Sequence, residues 1–323
     1  MVPRLSRREA VKRIAMAGAA LGSAGALAGF RFDRGGAAQS GRGGERQIRD
    51  FRVDARPDSP VLAIAKQSTD PAELTRRAVE ALGGMARFVS RGDIVAVKPN
   101  IGWDRLPVHA ANTNPLVVAA VVRLAFEAGA KRVIVSDSSC NEANRSFQRS
   151  GIWRAAHESG ATVIIPAERR YREIRIGGDV LDRWPVYTPI IDTDKVINVP
   201  IAKQHGLSKL TAAMKNWYGL LGGRRNQLHQ KIDVSIADLA TFMRPSLTIL
   251  DATRVLVRNG PQGGNLDDAK QKNQVIASLD EVAVDAYAAE LIEQRPEEIG
   301  YLKLGQERGL GTLDWRSVAR VEV

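Results

Sequence analysis

The chain has 323 residues, 44% of them hydrophobic and 26% charged, with one cysteine and only 5% aromatics. A single cysteine excludes an internal disulfide framework, a four-cysteine zinc site and a self-contained iron–sulfur cluster, and so few aromatics exclude a stacking platform for bases. The formal charge of +11 would suit a nucleic-acid binder, but it is concentrated at the start. Arg4, Arg7, Arg8, Lys12 and Arg13 stand against Glu9 in the first thirty residues, and residues 31–60 hold seven arginines against five acids. Beyond that point basic and acidic side chains are mixed, without the stripe a nucleic-acid partner requires.

Ser6-Arg7-Arg8-Glu9-Ala10-Val11-Lys12 precedes an uncharged run from Ile14 to Phe30, rich in Ala, Gly and Leu. A basic segment, an apolar stretch and then small residues is the layout of an export peptide. The apolar run falls short of the roughly 20 residues a stable membrane span needs. The adjacent arginines resemble the twin-arginine translocation signal, with Ala10-Val11 in place of its usual Phe-Leu pair. Residues 1–30 thus read as a signal peptide of that type. Residues 31–59, with Gly35-Gly36 and Gly43-Gly44 and no periodicity, read as a flexible linker. The expectation is an exported, periplasmic protein that uses the twin-arginine export machinery, membrane-anchored if the segment is retained. A buried or amphipathic first helix is the alternative. Because that route carries folded proteins, the resemblance also implies a metal or organic cofactor.

From residue 60 to 323 short β-branched runs alternate with helix-length segments. Val61–Ala65, Ile94–Val97, Val133–Val135, Thr162–Ile165, Val196–Val199 and Leu247–Leu250 read as buried strands. Helical stretches lie near 71–88, 115–128, 145–159, 233–243 and 280–294. Asn114-Pro115 supplies a cap and a proline at the first helical position, and Gly129 a stop. Asp280 stands at the head of the last stretch. Such alternation predicts an α/β fold: a mostly parallel sheet covered by helices on both faces, as one large domain or two closely packed lobes.

Ligands of such sheets bind at the carboxyl ends of the strands. Four of these strands run into polar segments: Lys98-Pro99-Asn100, Ser136-Asp137-Ser138, Lys203-Gln204-His205, and Asp251-Ala252-Thr253-Arg254. The densest stretch runs from Lys203 through His205, Lys215 and Asn216 to Arg225 and His229. Histidine ligates metals or moves protons near neutral pH, and a buried lysine can become a nucleophile. The histidine spacing is no local chelate, so only the fold can bring these groups together. Taken singly, His205 and His229 also suit hydrogen-bonded structural roles, as do His109 and His157. Cys140 reads as a bystander thiol, and Gly260-Pro261-Gln262-Gly263-Gly264 as a plain glycine loop, since it lacks the lysine of a phosphate-binding loop.

These residues carry a resemblance. Lys98-Pro99-Asn100, Asn112-Thr113-Asn114-Pro115, Ser136-Asp137-Ser138, Lys203-Gln204-His205, Lys215-Asn216-Trp217-Tyr218-Gly219, Arg225 with His229, and Ser278-Leu279-Asp280-Glu281-Val282-Ala283-Val284-Asp285 together resemble the family known as domain of unknown function 362. Some relatives append a ferredoxin-like module; this chain lacks its cysteines, which implies a separate redox partner if electrons are moved. A fainter likeness is to the N-terminal half of nickel-pincer lactate racemases. It implies an acid/base role for His205, a cofactor-holding role for Lys215 and a metal-ligand role for His229, although Ala213-Met214 replaces the glycine pair of that family.

The combined expectation is a metal- or cofactor-assisted enzyme, racemase-like or hydrolytic, acting on a small anionic carboxylate-type substrate. The alternative is a periplasmic binding or cofactor-handling protein. His205 and Lys215 are the catalytic candidates. Lys98, Asn100, Asn114, Asp137, Ser138, Lys203, Asn216, Arg225 and Asp251 are the candidates for holding the ligand. His229 with His205 is the candidate pair for a divalent metal.

Overall fold

The computed structural model describes residues 48–54, 56 and 59–323. The expected signal peptide over 1–30 and the first part of the linker lie outside the described residues. The end of that linker belongs to the fold. Phe51 is buried in the core and donates its backbone N–H to the carbonyl of Arg244, so the compact unit begins ahead of residue 60. No helix of the described residues is long and apolar enough to cross a membrane.

The strands are β1 (Leu62–Ala65), β2 (Ile94–Pro99), β3 (Arg132–Val135), β4 (Thr162–Val163), β5 (Tyr171–Arg175), β6 (Arg183–Tyr187), β7 (Lys195–Val199), β8 (Ile201–His205), β9 (Lys209–Thr211), β10 (Leu247–Leu256), β11 (Ala269–Ser278) and β12 (Arg320–Glu322). The helices are α1 (Pro71–Ala81), α2 (Pro115–Glu127), α3 (Ala143–Arg149), α4 (Ile152–Glu158), α5 (Thr188–Ile191), α6 (Ala213–Asn216), α7 (Ile232–Phe242), α8 (Glu281–Leu291) and α9 (Gly300–Glu307).

The main sheet has the order β12-β1-β11-β10-β7-β2-β3-β4, with β8 beside the far half of β10 and β9 folded back on β8. Along that order only β11 runs against its neighbours; the other pairings are parallel. The strands read as continuous apolar runs because both faces are covered, yet period 2 still sorts their side chains. Ala63, Val95, Val97, Val133, Val135 and Ile197 pack with residues of α1, α2, α3 and α4. Leu62, Ile64, Ala96, Val196, Leu250 and Ile276 pack with residues of α6, α7, α8 and α9. The fold is therefore the expected α/β architecture, with helices on both faces of a mostly parallel sheet.

Local chemistry accounts for the element ends. The side chain of Asn114 accepts the Leu116 N–H at 2.9 Å at the head of α2, where Pro115 has no N–H to strand. Val118, Val121, Val122 and Ala125 of that helix are buried. Asp280 accepts the Ala283 N–H at 2.8 Å at the head of α8. The helix expected over 145–159 is two, α3 and α4. They break at Gly151, whose φ of +74° is left-handed backbone that glycine adopts without strain. The strand expected to reach Ile165 stops at Val163. The β5–β6 hairpin, β11, β12 and α9 are elements the sequence pattern did not separate from loops.

Candidate functional site

β2, β3 and β7 end side by side, because they are parallel neighbours. The loops after β2 and β3, together with β8, α6 and the segment after α6, line a cavity of about 470 Å3, within the usual range for small-molecule sites. Asn100, Asp137, Ser138, Lys203, His205, Lys215, Asn216, Arg225 and His229 all line it. Lys98 stands just behind the wall.

The wall is a hydrogen-bonded frame. Lys98 is fully buried and donates from Nζ to Asp137 Oδ1 at 2.6 Å, to Asn216 Oδ1 at 3.2 Å and to its neighbour Pro99's carbonyl at 3.0 Å. The other oxygen of Asp137 accepts the Ile101 N–H at 2.6 Å. Asn216 accepts at Oδ1 from Asn100 Nδ2 at 3.0 Å and donates to the Lys98 carbonyl and to Asn198 Oδ1. Burial pulls the Lys98 pKa down, and the Asp137 charge opposes that shift. A buried pair of this kind survives only when its remaining valences are met, as they are here. Gly219 is required by this frame. A Cβ there would lie 1.7 Å from Asp137 Oδ1 and 2.6 Å from Lys98 Nζ.

Two more lysines are buried at the cavity without a carboxylate. Lys203 on β8 donates to Asn100 Oδ1 at 2.8 Å and to the Ala111 carbonyl at 2.5 Å. Its acceptors are neutral, so burial brings its pKa down to about 7. Lys215 on α6 is 8% exposed. Among the described residues its ammonium contacts only the ring face of Tyr218, at 4.9 Å, and burial lowers its pKa to about 8. The hydroxyl of Thr211, another buried lining residue, has no hydrogen-bond partner among the described residues.

The remaining cations are anchored differently. Arg225 donates to the carbonyls of Ser138 and Ser139 at 2.8 and 2.7 Å, which ties the loop after β3 to the segment after α6. The Ser138 hydroxyl pairs with the Tyr171 phenol of β5. Arg224 lines the cavity from an exposed position.

Both histidines reach the cavity, with near-parallel rings whose centres are 6.3 Å apart. His205 Nδ1 accepts the backbone N–H groups of Leu207 and Ser208 at 3.1 and 3.3 Å. Since those partners are donors, Nδ1 is the unprotonated nitrogen and Nε2 carries the hydrogen. Burial, with Lys215 and Lys203 nearby, pushes the His205 pKa down to about 3, so the ring is neutral at physiological pH. His229 is the converse. Its Nδ1 lies 3.1 Å from the Asn226 carbonyl and must donate. A divalent metal fits this arrangement poorly. His205 offers an N–H rather than a lone pair, and among the described residues no three His, Cys, Asp or Glu side chains gather as a ligand set.

Asn114 and Asp251 do not line this cavity. They line a neighbouring one of about 350 Å3 with Arg254 and Thr253. There the Asp251 carboxylate is already satisfied, by the Asn114 N–H at 2.7 Å and by the N–H and hydroxyl of Thr253 at 2.9 and 2.7 Å. Burial raises its pKa.

Three supporting residues were not among the site candidates, although Glu281 and Asp285 stand in the segment that carries the family resemblance. Asn198 on β7 links Asn216 to Glu281, donating to Glu281 Oε1 at 2.6 Å. Glu281 also accepts from Thr248 and Trp217, and burial raises its pKa to about 7. Asp285 accepts the Ala213 and Met214 N–H groups and so fixes the start of α6 below Lys215. The available signal was polarity in the wrong place: Asn198 interrupts an otherwise apolar strand.

Residues 95–290 match the family described as domain of unknown function DUF362. The chain belongs to that family. The DUF362 match spans every cavity residue described above. Among characterised sequences, the chain is similar to a thylakoid-associated protein of Synechocystis sp., with 27% identity over 243 residues, covering 73% of this chain and 74% of that one. A solved structure with a weaker likeness is the lactate racemase apoprotein of Thermoanaerobacterium thermosaccharolyticum, at 11% identity and a TM-score of 0.37. That likeness covers 81% of this chain, which spans 58% of the racemase chain.

Proposed function

We propose that the DUF362 cavity binds a small organic anion of the carboxylate class, and that the protein is an exported enzyme moving a proton next to that carboxylate. The observation that carries this reading is a surplus of positive charge. Lys203, Lys215, Arg224 and Arg225 line the cavity against a single carboxylate, Asp137, which Lys98 already neutralises. Two of them, Lys203 and Lys215, are buried without a carboxylate partner among the described residues, which is costly unless a ligand supplies the opposite charge.

The roles follow from protonation. Lys215, with a pKa of about 8, is neutral in roughly one molecule in ten at pH 7, which suits a general base that is regenerated readily. With its Nδ1 occupied by two N–H donors and its pKa pushed down to about 3, His205 is assigned no acid or base role in this proposal. It acts instead as a neutral donor from Nε2–H to a substrate oxygen. The hydrogen-bond pattern of the histidines does not favour a shared metal, so no step is assigned to one.

Calorimetry with small hydroxy- and dicarboxylates, paired with NMR of Cα–H exchange in D2O, tests this function. The expected result is binding that Lys215→Met weakens at least tenfold, with deuterium incorporated only by the wild type. Binding without exchange would leave a binding protein, the alternative function. Absence of binding by any carboxylate would overturn the proposal. Export rests on the Arg7-Arg8 signal. Fusing residues 1–40 to a reporter that needs folded translocation should direct it to the periplasm, and the Arg7→Lys, Arg8→Lys pair should block that.

A further inference from the structure

We propose that Lys215 is an imine-forming lysine, which captures the carbonyl carbon of small 2-oxo acids through its Nζ. This inference rests on the cavity being a carboxylate site and adds the substrate's second functional group. Three buried lysines meet at the cavity, and their partners set them apart. Lys98 is ion-paired with Asp137, and Lys203 is held by Asn100 and the Ala111 carbonyl. Lys215 alone of the three has no oxygen acceptor among the described residues, only the Tyr218 ring face. An amine without acceptors, in a wall where charge is penalised, gives up its proton more readily than an exposed lysine, and the lone pair so freed is the nucleophile.

The surroundings suit the other half of the reaction. A carbonyl oxygen placed against Lys215 finds two hydrogen-bond donors on the same wall. They are the Thr211 hydroxyl, buried and unpartnered, and His205, whose Nε2–H is left free by the bonds to Nδ1. Lys203 and Arg224 provide positive charge for the carboxylate alpha to that carbonyl. His229, whose Nδ1 is held by the Asn226 carbonyl, has its Nε2 available to relay protons.

The step balances without a redox partner. The Nζ lone pair forms a C–N bond to the carbonyl carbon, and the C=O π pair moves to oxygen. The two amine hydrogens then pass to that oxygen as the C–O bond breaks, giving a C=N bond and one water. Cys140, an exposed thiol also on the cavity wall, can add reversibly to a carbonyl, but its adduct is not fixed by imine reduction.

The test uses the full chain with glyoxylate or pyruvate and cyanoborohydride, which traps imines as stable secondary amines, followed by peptide mapping. The expected result is modification of Lys215 at least tenfold above Lys98, Lys203 and every exposed lysine. It should be abolished in Lys215→Arg and should still map to Lys215 in Cys140→Ser. Mapping on the wild type decides the matter even if the variant folds poorly. Trapping spread over exposed lysines, centred on Lys203, or absent would overturn the proposal. Malonate, which has no reactive carbonyl, separates this inference from the underlying one. If malonate binds and Lys215 stays unmodified, the imine fails and the carboxylate site stands. If Lys215 is trapped equally fast by propionaldehyde and malonate gives no protection, the reactive lysine stands and the carboxylate site fails.

Discussion

The two cavities at the strand ends are built from the same kind of sequence and reach opposite electrostatic outcomes. Asp137 follows β3 and Asp251 lies within β10, both buried and both receiving backbone N–H groups. Around Asp251 the donors are neutral and match the carboxylate, so the arrangement ties the head of α2 to β10 and is complete in itself. Around Asp137 a buried lysine cancels the charge, and two further lysines next to it are left without anions. Polar residues after a strand are thus ambiguous one by one. The balance of donors, acceptors and charge across the whole wall separates a structural tie from a ligand site.

The largest effect that sharpens this contrast is expected from Asp137→Ala. Removing one partner of a fully buried ion pair strands the other, at a cost of about 3–5 kcal/mol. Lys98 would also lose its strongest acceptor, while Ile101 would lose one for its N–H. Denaturant titration against wild type measures it. A loss below about 1 kcal/mol would show that Lys98 is held neutral in the fold, and that the frame is not ionic.

Next is Lys215→Met, expected to stabilise the ligand-free protein. The folded pKa of about 8 lies below the ordinary value of 10.5, so between those pH values the unfolded chain binds more protons and wild-type stability rises with pH. Below pH 8 wild type carries the whole penalty. The variant should therefore be more stable at pH 7 by on the order of 3 kcal/mol, an advantage that shrinks as pH climbs from 8 towards 10.5. Thermal melts of both proteins across that range give the difference. A variant less stable at pH 7 would mean that the ammonium already has an anionic partner in the free protein.

How much of this was legible in sequence divides along the same line. The apolar strands and the α2 boundaries could be read because they rest on local rules: β-branched runs, an Asn-Pro head and a glycine stop. The β5–β6 hairpin and β11 could not. The first mixes exposed Arg172, Glu173, Arg175 and Arg183 with buried Ile174, Val186 and Tyr187, without a clean apolar run, and the second passes through the polar residues Lys270 to Gln274 before turning apolar. For the site, Lys98, Asn100, Asp137, Ser138, Lys203, His205, Lys215, Asn216, Arg225 and His229 were identifiable as residues, and the fold brings them together. Their chemistry was not identifiable. That His205 donates from Nε2 depends on the tight turn at Leu207 and Ser208, and that Lys215 lacks an acceptor depends on which loops close over it. The same limit applies to Asn114 at the head of α2 and Asp251 within β10, since nothing local to either shows that the Asn114 N–H meets the Asp251 carboxylate.

The smallest predicted effect is the one that decides whether the two cavities are independent. Asn114→Ala removes the cap that accepts the Leu116 N–H and the donor to the Thr253 hydroxyl at 3.1 Å. The backbone N–H of residue 114 still reaches Asp251, and Thr253 keeps its own bond to that carboxylate, so no buried donor is stranded there. The loss should be that of a helix cap, about 1 kcal/mol, visible as a modest fall in melting temperature. Among the described residues Asn114 makes no hydrogen bond to the cationic wall, but Thr113 beside it donates to the Val199 carbonyl and accepts the Asn100 N–H, and Asn100 holds Lys203. If that link is rigid, carboxylate affinity stays at the wild-type value while stability falls. If fraying of the α2 head reaches Asn100, affinity drops together with stability, and the two cavities are one coupled unit, with the structural tie around Asp251 setting the geometry of the ligand site.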